Sequence, residues 1–190
     1  MTKLKYFLIL ALAIGGALLI YNHFSKKNEQ VVEINKFTSE YPLVEEDNIY
    51  TYKNIDEVIN TLESGTGIIF MCTPSSKWCQ YYALYLNEVA KANNVTEVYY
   101  SDIKDDRNLN TVKYQKLLTI LEQYLYKDDL EDSKLYMPDL TFVKDGVIIA
   151  HDNETSLVAS DIEDSAYWTQ DKINEFKNKI TSYAMLLNEE

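Results

Sequence analysis

The stretch Ile68-Ile69-Phe70-Met71-Cys72-Thr73-Pro74-Ser75-Ser76-Lys77-Trp78-Cys79-Gln80 decides how this chain folds. Its first five residues are apolar without a break, the pattern of a short strand buried on both faces. Residues 73–77 supply turn-forming and polar side chains. Apolar residues then return at Tyr82, Leu86 and Val89, with Tyr81 and Tyr85 one step around, which is the spacing of a core-facing helix. Strand, turn and helix in that order imply an α/β protein. They also place residues 76–79 at a helix start, where unpaired backbone N–H groups favour negative charge and lower the pKa of a thiol.

Working outward, residues 49–52 form a short β-rich run, and Asn54 caps a helix that carries Ile55, Val58, Ile59 and Leu62 on one face. Ser64-Gly65-Thr66-Gly67 ends it. Downstream, residues 97–103 are read as a strand, and Tyr114, Leu117, Leu118, Leu121 and Leu125 as the apolar face of a helix. Residues 127–133 form an acidic loop. Residues 139–150 are a hairpin turned through Lys144-Asp145-Gly146, because Asp-Gly supplies the left-handed conformations that tight hairpins need. Residues 168–187 close the chain as an amphipathic helix with Ile173, Phe176, Ile180 and Tyr183 inward. The order β-α-β-α-β-α-β-β-α predicts a mixed sheet with helices on both faces: parallel pairs from the crossovers and an antiparallel part from the hairpin.

Composition bounds the function. At 190 residues the chain is about one domain long, and 46% hydrophobic content with 16 tyrosines supports a real core. A net charge of −12 argues against nucleic acid, whose binding rests on Lys and Arg releasing phosphate counterions. The charge is uneven: residues 28–190 hold 14 basic and 30 acidic residues, a balance of −16. The two histidines, His23 and His151, have no Cys or carboxylate spacing suited to a metal; both are read as surface residues, with no metal and no cofactor expected. Trp78, Trp168, Tyr81, Tyr82 and Tyr85 suit a recognition surface in principle, but helical spacing puts at least half of them in the core.

Residues 7–20 (FLILALAIGGALLI) carry no charged side chain and are closed by Tyr6 and Tyr21, as at a membrane interface. Counted from Lys5 to Phe24 with snorkelling ends, a helix reaches ~30 Å, the hydrocarbon thickness. A cleaved signal peptide is the competing reading. However, the run exits into Tyr21-Asn22-His23-Phe24 rather than into a small-residue cleavage site. The sequence therefore predicts a membrane anchor at residues 1–24 in contact with lipid, a polar tether at 25–47 and a folded domain at 48–190. Lys pairs on both sides leave positive-inside counting even, but a very short N-terminal tail normally stays in the cytoplasm, so a single pass is expected to leave the acidic C-terminal domain outside.

Two blocks carry a family resemblance: the strand-turn-helix of residues 68–86, with Trp78-Cys79-Gln80, and Met137-Pro138-Asp139-Leu140-Thr141-Phe142-Val143-Lys144-Asp145-Gly146. The chain resembles the thioredoxin-like superfamily, in particular the bacterial bacteriocin transport accessory proteins, over most of residues 48–187. The resemblance implies a thioredoxin-like fold in which Pro138 is cis beside the redox turn. It also implies that Trp78, Met137 and Pro138 receive an extended substrate, here an exported peptide or protein. It further makes Cys79 the resolving position of a degenerate Ser76-Lys77-Trp78-Cys79 motif. Ser76 replaces the attacking thiol, Phe70 lies near the place of a buried acid with no carboxylate taking over, and Lys77 replaces the common Pro or Gly. A hydroxyl cannot attack a disulfide as a thiolate does. The resulting expectation is a non-catalytic binding or accessory module.

The alternative is a thiol-disulfide oxidoreductase using Cys79 alone or with Cys72. Cys72 stands seven positions earlier across the same turn, and pairing requires Cα atoms within ~7 Å. Taken singly, Cys72 reads as a small core hydrophobe and Cys79 as inert.

Overall fold

A computed structural model describes residues 2–127, 133–159 and 161–188. Helix α1 (Thr2–Glu40) leads into strand β1 (Tyr50–Tyr52), helix α2 (Ile55–Ser64), β2 (Gly67–Met71), α3 (Lys77–Ala92) and β3 (Val98–Ser101). A one-turn helix α4 (Lys104–Asn108) and α5 (Val112–Ile120) follow, then the small ribbon β4 (Tyr126–Lys127) and β5 (Ser133–Lys134). The hairpin β6 (Asp139–Lys144) and β7 (Val147–Asp152), the short α6 (Asp164–Tyr167) and α7 (Gln170–Asn188) complete the chain. The acidic positions 128–132 of the expected loop lie outside the described residues.

The main sheet has five strands in the order β1-β3-β2-β6-β7. β3 pairs parallel with both β1 and β2, whereas β6 runs antiparallel to β2 and β7 antiparallel to β6. This is the mixed α/β sheet that the element order predicts. Its centre follows from the unbroken apolar run. On β2, Ile68 and Phe70, with Cys72 just beyond, face one core, while Ile69 and Met71 face the other. The end of α1, α3 and α7 cover the first face; α2 and α5 cover the second.

Local signals set the helix boundaries. Asn54 accepts hydrogen bonds from Asp56 N and Glu57 N, and the Glu57 carboxylate accepts from Asn54 N at 2.9 Å, a complete capping box. The hairpin turns through Asp145 and Gly146, both at positive φ.

The structure differs from the sequence reading at residues 25–47. Instead of a tether, helix continues to Glu40, and Phe37, Tyr41 and Val44 are buried in the first core. Phe37 stacks on Tyr41 at 4.5 Å and on Tyr50 at 4.0 Å between ring centroids. The packed unit thus begins before residue 48. Lys36 and Ser39, beside Phe37 in sequence, are exposed on the same helix, which is why composition alone reads as linker. Among the described residues no helix is long and apolar enough to cross a membrane. The expected anchor at 1–24 falls mainly on residues 1–18, whose side chains lie outside the described set.

Candidate functional site

β2 delivers Cys72 to one end of the sheet. Its N–H donates to Ser101 O at 3.2 Å, continuing the ladder by one residue past the strand. The chain then turns through residues 73–76, with Ser76 N donating to Thr73 O at 3.1 Å. Ser76 is the N-cap of α3: its hydroxyl accepts from Cys79 N at 3.4 Å, satisfying one of the orphan donors of the first helical turn. The Ser76 side chain is therefore used as a cap.

Cys79 sits inside that first turn, and its sulfur is bonded to Cys72 with the Cα atoms 5.8 Å apart. These are the only two cysteines in the sequence, so no thiol remains. Read singly, the two residues suggested an unpaired core hydrophobe and an inert helix residue; the turn instead brings them together. Both have 0% exposed surface. The bonded sulfur of Cys79 also accepts Thr73 N at 3.4 Å, and the Thr73 hydroxyl lies 3.2 Å from that of Ser75 and donates to Asp102 at 3.4 Å.

The loop closed by the disulfide is tied to the rest of the first core. Tyr100 donates to Cys72 O at 3.4 Å, and Tyr41 donates to the Tyr100 hydroxyl at 3.0 Å. Gln80 Nε2 donates to Glu40 O at 2.8 Å and Pro74 O at 2.9 Å. Burial holds the Tyr41 and Tyr100 phenols above the usual tyrosine range. The buried end of α1 thus braces the turn.

Asp139 of β6 pairs with Met71 of β2, which places the preceding Met137 and Pro138 at the same end of the sheet as Cys72. The Met137–Pro138 bond is cis, and Met137 packs against both cores. Trp78 is half-buried and meets Tyr167 edge to face at 5.2 Å. The topology therefore gathers Cys72, Ser76, Cys79 and Pro138 at one end of the sheet. Tyr82 and Trp168 are core residues, whereas Tyr81 and Tyr85 pack at its margin.

Two polar constellations were not read from the sequence. His151 is not a surface residue: its Nε2 lies 2.8 Å from Asp139 Oδ2, both side chains nearly inaccessible, and Tyr124 stacks on the imidazole at 4.9 Å. Strand alternation carried the signal, since Asp139 and Thr141 share a face and Thr141 pairs with His151. On the opposite face Asp152 is buried, accepting from Tyr82 at 2.6 Å and from Lys179 at 2.6 Å, while Lys179 also donates to Glu154. Burial, reinforced by the Asp152 charge, pushes the Tyr82 phenol well up. Phe70, at 0% exposure, stacks on Tyr82 with centroids 5.4 Å apart.

Among the described residues no cluster of His, Cys, Asp and Glu is placed to hold a metal ion. No protein-family model matches this chain, and no curated protein matches it.

Proposed function

We propose that this chain is a membrane-anchored, extracytoplasmic module of thioredoxin-like type that has lost dithiol catalysis and binds an exported peptide or protein at the Cys72–Pro138 end of its sheet. One observation carries the loss of catalysis. Both sulfurs are spent in a disulfide with no exposed surface, and the hydroxyl at the attacking position caps a helix. Exchange needs an accessible thiolate, or an accessible disulfide sulfur for one to attack. Neither is offered.

The fold reading is supported by the strand order β1-β3-β2-β6-β7 and by Pro138 standing beside the turn. Export is supported by the disulfide, which persists in oxidising compartments, and by the apolar run at residues 7–20. A second reading, a thiol-disulfide oxidoreductase working through the Cys72–Cys79 pair, is favoured by the existence of that bond. The burial of both sulfurs weighs against it.

The test uses the full chain in detergent micelles in a dithiol-driven disulfide-reduction assay, beside a Ser76→Cys variant. Wild type is expected at the uncatalysed rate. Turnover by wild type as fast as by S76C overturns the proposal. Retention of the chain in membranes after alkaline extraction checks the anchor, and its release refutes that part.

A further inference from the structure

The first turns of α3 lead from the disulfide turn into a groove of about 360 Å³. Lys77 and Tyr81 of α3 form one wall, Pro42 and Leu43 of the turn after α1 a second, and Glu163 and Asp164 at the start of α6 the third. Gln80, which also lines the groove, ties the first two walls together through its hydrogen bond to Glu40 O.

Asp164 is the unsatisfied member of this lining. It is only 9% exposed, yet among the described residues no hydrogen bond or ion pair engages its carboxylate. The side-chain atoms cut off from water without a partner belong, among the described residues, to Gln80, Thr155 and Trp168. The unpaired Asp164 oxygens therefore keep surface that water can reach, on the groove that the residue lines. An ionised carboxylate so deeply placed costs free energy until a cation meets it.

The rest of the lining narrows the cation. Glu163 and Asp164 against Lys77 leave a formal balance of −1. Two neighbouring carboxylates are too few for a hard metal ion, which takes six or more oxygens, and among the described residues no third ligand joins them. An organic cation on a stem fits the walls. Pro42 and Leu43, both exposed, offer apolar surface to an aliphatic chain, and Tyr81 offers an aromatic ring to the charge. The volume equals about twelve waters at ~30 Å³ each, room for one long side chain and not for a folded partner. At longer range the balance of −16 over residues 28–190 draws basic partners toward the domain.

We propose that the groove receives a lysine or arginine side chain of the exported peptide, with its cationic head at Asp164 and Glu163 and its stem along Pro42 and Leu43. The inference rests on reading this end of the sheet as a peptide site, and adds that the peptide is basic where it meets α6. Lys77 is the one charge in the lining that opposes the ligand.

The test titrates two capped pentapeptides, Gly-Gly-Arg-Gly-Gly and the same peptide with neutral citrulline for arginine, into the ¹⁵N-labelled full chain in non-ionic micelles. The backbone amides of Tyr81 and Asp164 report the groove, and those of Ser76 and Met137 the neighbouring end of the sheet. The arginine peptide is expected to shift the groove amides saturably at about millimolar affinity, and the citrulline peptide to bind at least ~10-fold more weakly. Asp164→Asn, which keeps the side-chain shape, is expected to weaken the arginine peptide by a similar factor. If that variant does not fold, Lys77→Gln on the exposed surface carries the test: it is expected to tighten the arginine peptide about twofold or more by removing the opposing charge, and unchanged or weaker binding refutes the proposal. Equal binding of the two peptides, or undiminished binding by Asp164→Asn, overturns the cation site and leaves the peptide-binding reading standing. Shifts at Ser76 and Met137 with none in the groove have the same meaning, whereas no saturable shift at any of these amides overturns both.

Discussion

Cys72 and Cys79 are joined across the junction of β2 and α3, and neither sulfur has surface to offer a reagent. A cross-link over a sequence separation of seven removes loop entropy from the unfolded chain. For so short a loop the chain-entropy treatment gives about 2–3 kcal/mol. The Cys72→Ala/Cys79→Ala double variant is therefore expected to lose about that much stability in denaturant titrations. Native wild type should also resist alkylation after mild reductant, whereas the same treatment in denaturant labels both residues. Rapid labelling of the native protein would contradict the burial.

Phe37 lies under two aromatic rings in the first core, although the composition around it is that of a linker. Phe37→Ala is expected to cost about 3–5 kcal/mol, as for a fully buried aromatic. Thermal or chemical unfolding of the full chain checks this. A loss below ~1 kcal/mol, the range of surface substitutions, would mean that the end of α1 does not belong to the packed unit.

Gly146 holds φ +75, and a Cβ there would stand 2.5 Å from the Glu63 carbonyl oxygen. The turn is also anchored by Gly146 N donating to Gly65 O at 2.8 Å. Gly146→Ala carries both a left-handed penalty of about 1–2 kcal/mol and a collision with backbone that has no flexible end to yield. A clear fall in melting temperature is expected, larger than for Gly65→Ala, whose nearest contact is 3.0 Å and whose φ is ordinary.

Glu154 is held below the usual carboxylate range, first by its hydrogen bond from Lys179, with burial opposing. A carboxylate with a depressed folded pKa adds stability above its unfolded value of about 4.3 that is lost as pH falls through the folded value. The melting-temperature gap between wild type and Lys179→Met is therefore expected to narrow as pH drops from 6 toward 3. For Lys179 itself burial works downward, but its hydrogen bonds to Asp152 and Glu154 and their charges outweigh that and raise it. Its contribution accordingly fades only above about pH 10.4.

Tyr41, Tyr50, Tyr82 and Tyr100 are all pushed upward, chiefly by burial. A raised folded pKa favours the protonated state in the native protein, so stability is complete below the unfolded value of about 10 and declines as pH rises past it. Absorbance titration of phenolate is expected to show these tyrosines ionising together with alkaline unfolding, not before it. Their ionisation in a protein that keeps its native circular dichroism would contradict the packing.

Local sequence carries the alternation of elements, because side-chain pattern is a local property: β-rich runs either side of an Asp-Gly turn for β6 and β7, a period near 3.6 for α2, α3 and α7, and an apolar run without period for a strand buried on both sides. It also determined the cap at Asn54 and the turn at Asp145-Gly146, which depend on neighbours a few residues away. Tertiary structure decided the rest. Whether Cys72 is a core hydrophobe or half of a disulfide depends on where the turn aims Cys79. Whether residues 37–44 are linker or core depends on the ring of Tyr50 on the next strand and on that of Tyr100, which arrives from a strand far along the chain. The pair Asp152–Lys179 follows the same logic, since a buried charge is tolerated only once folding supplies its partner, and the partner here comes from a helix beyond the strand's own neighbourhood.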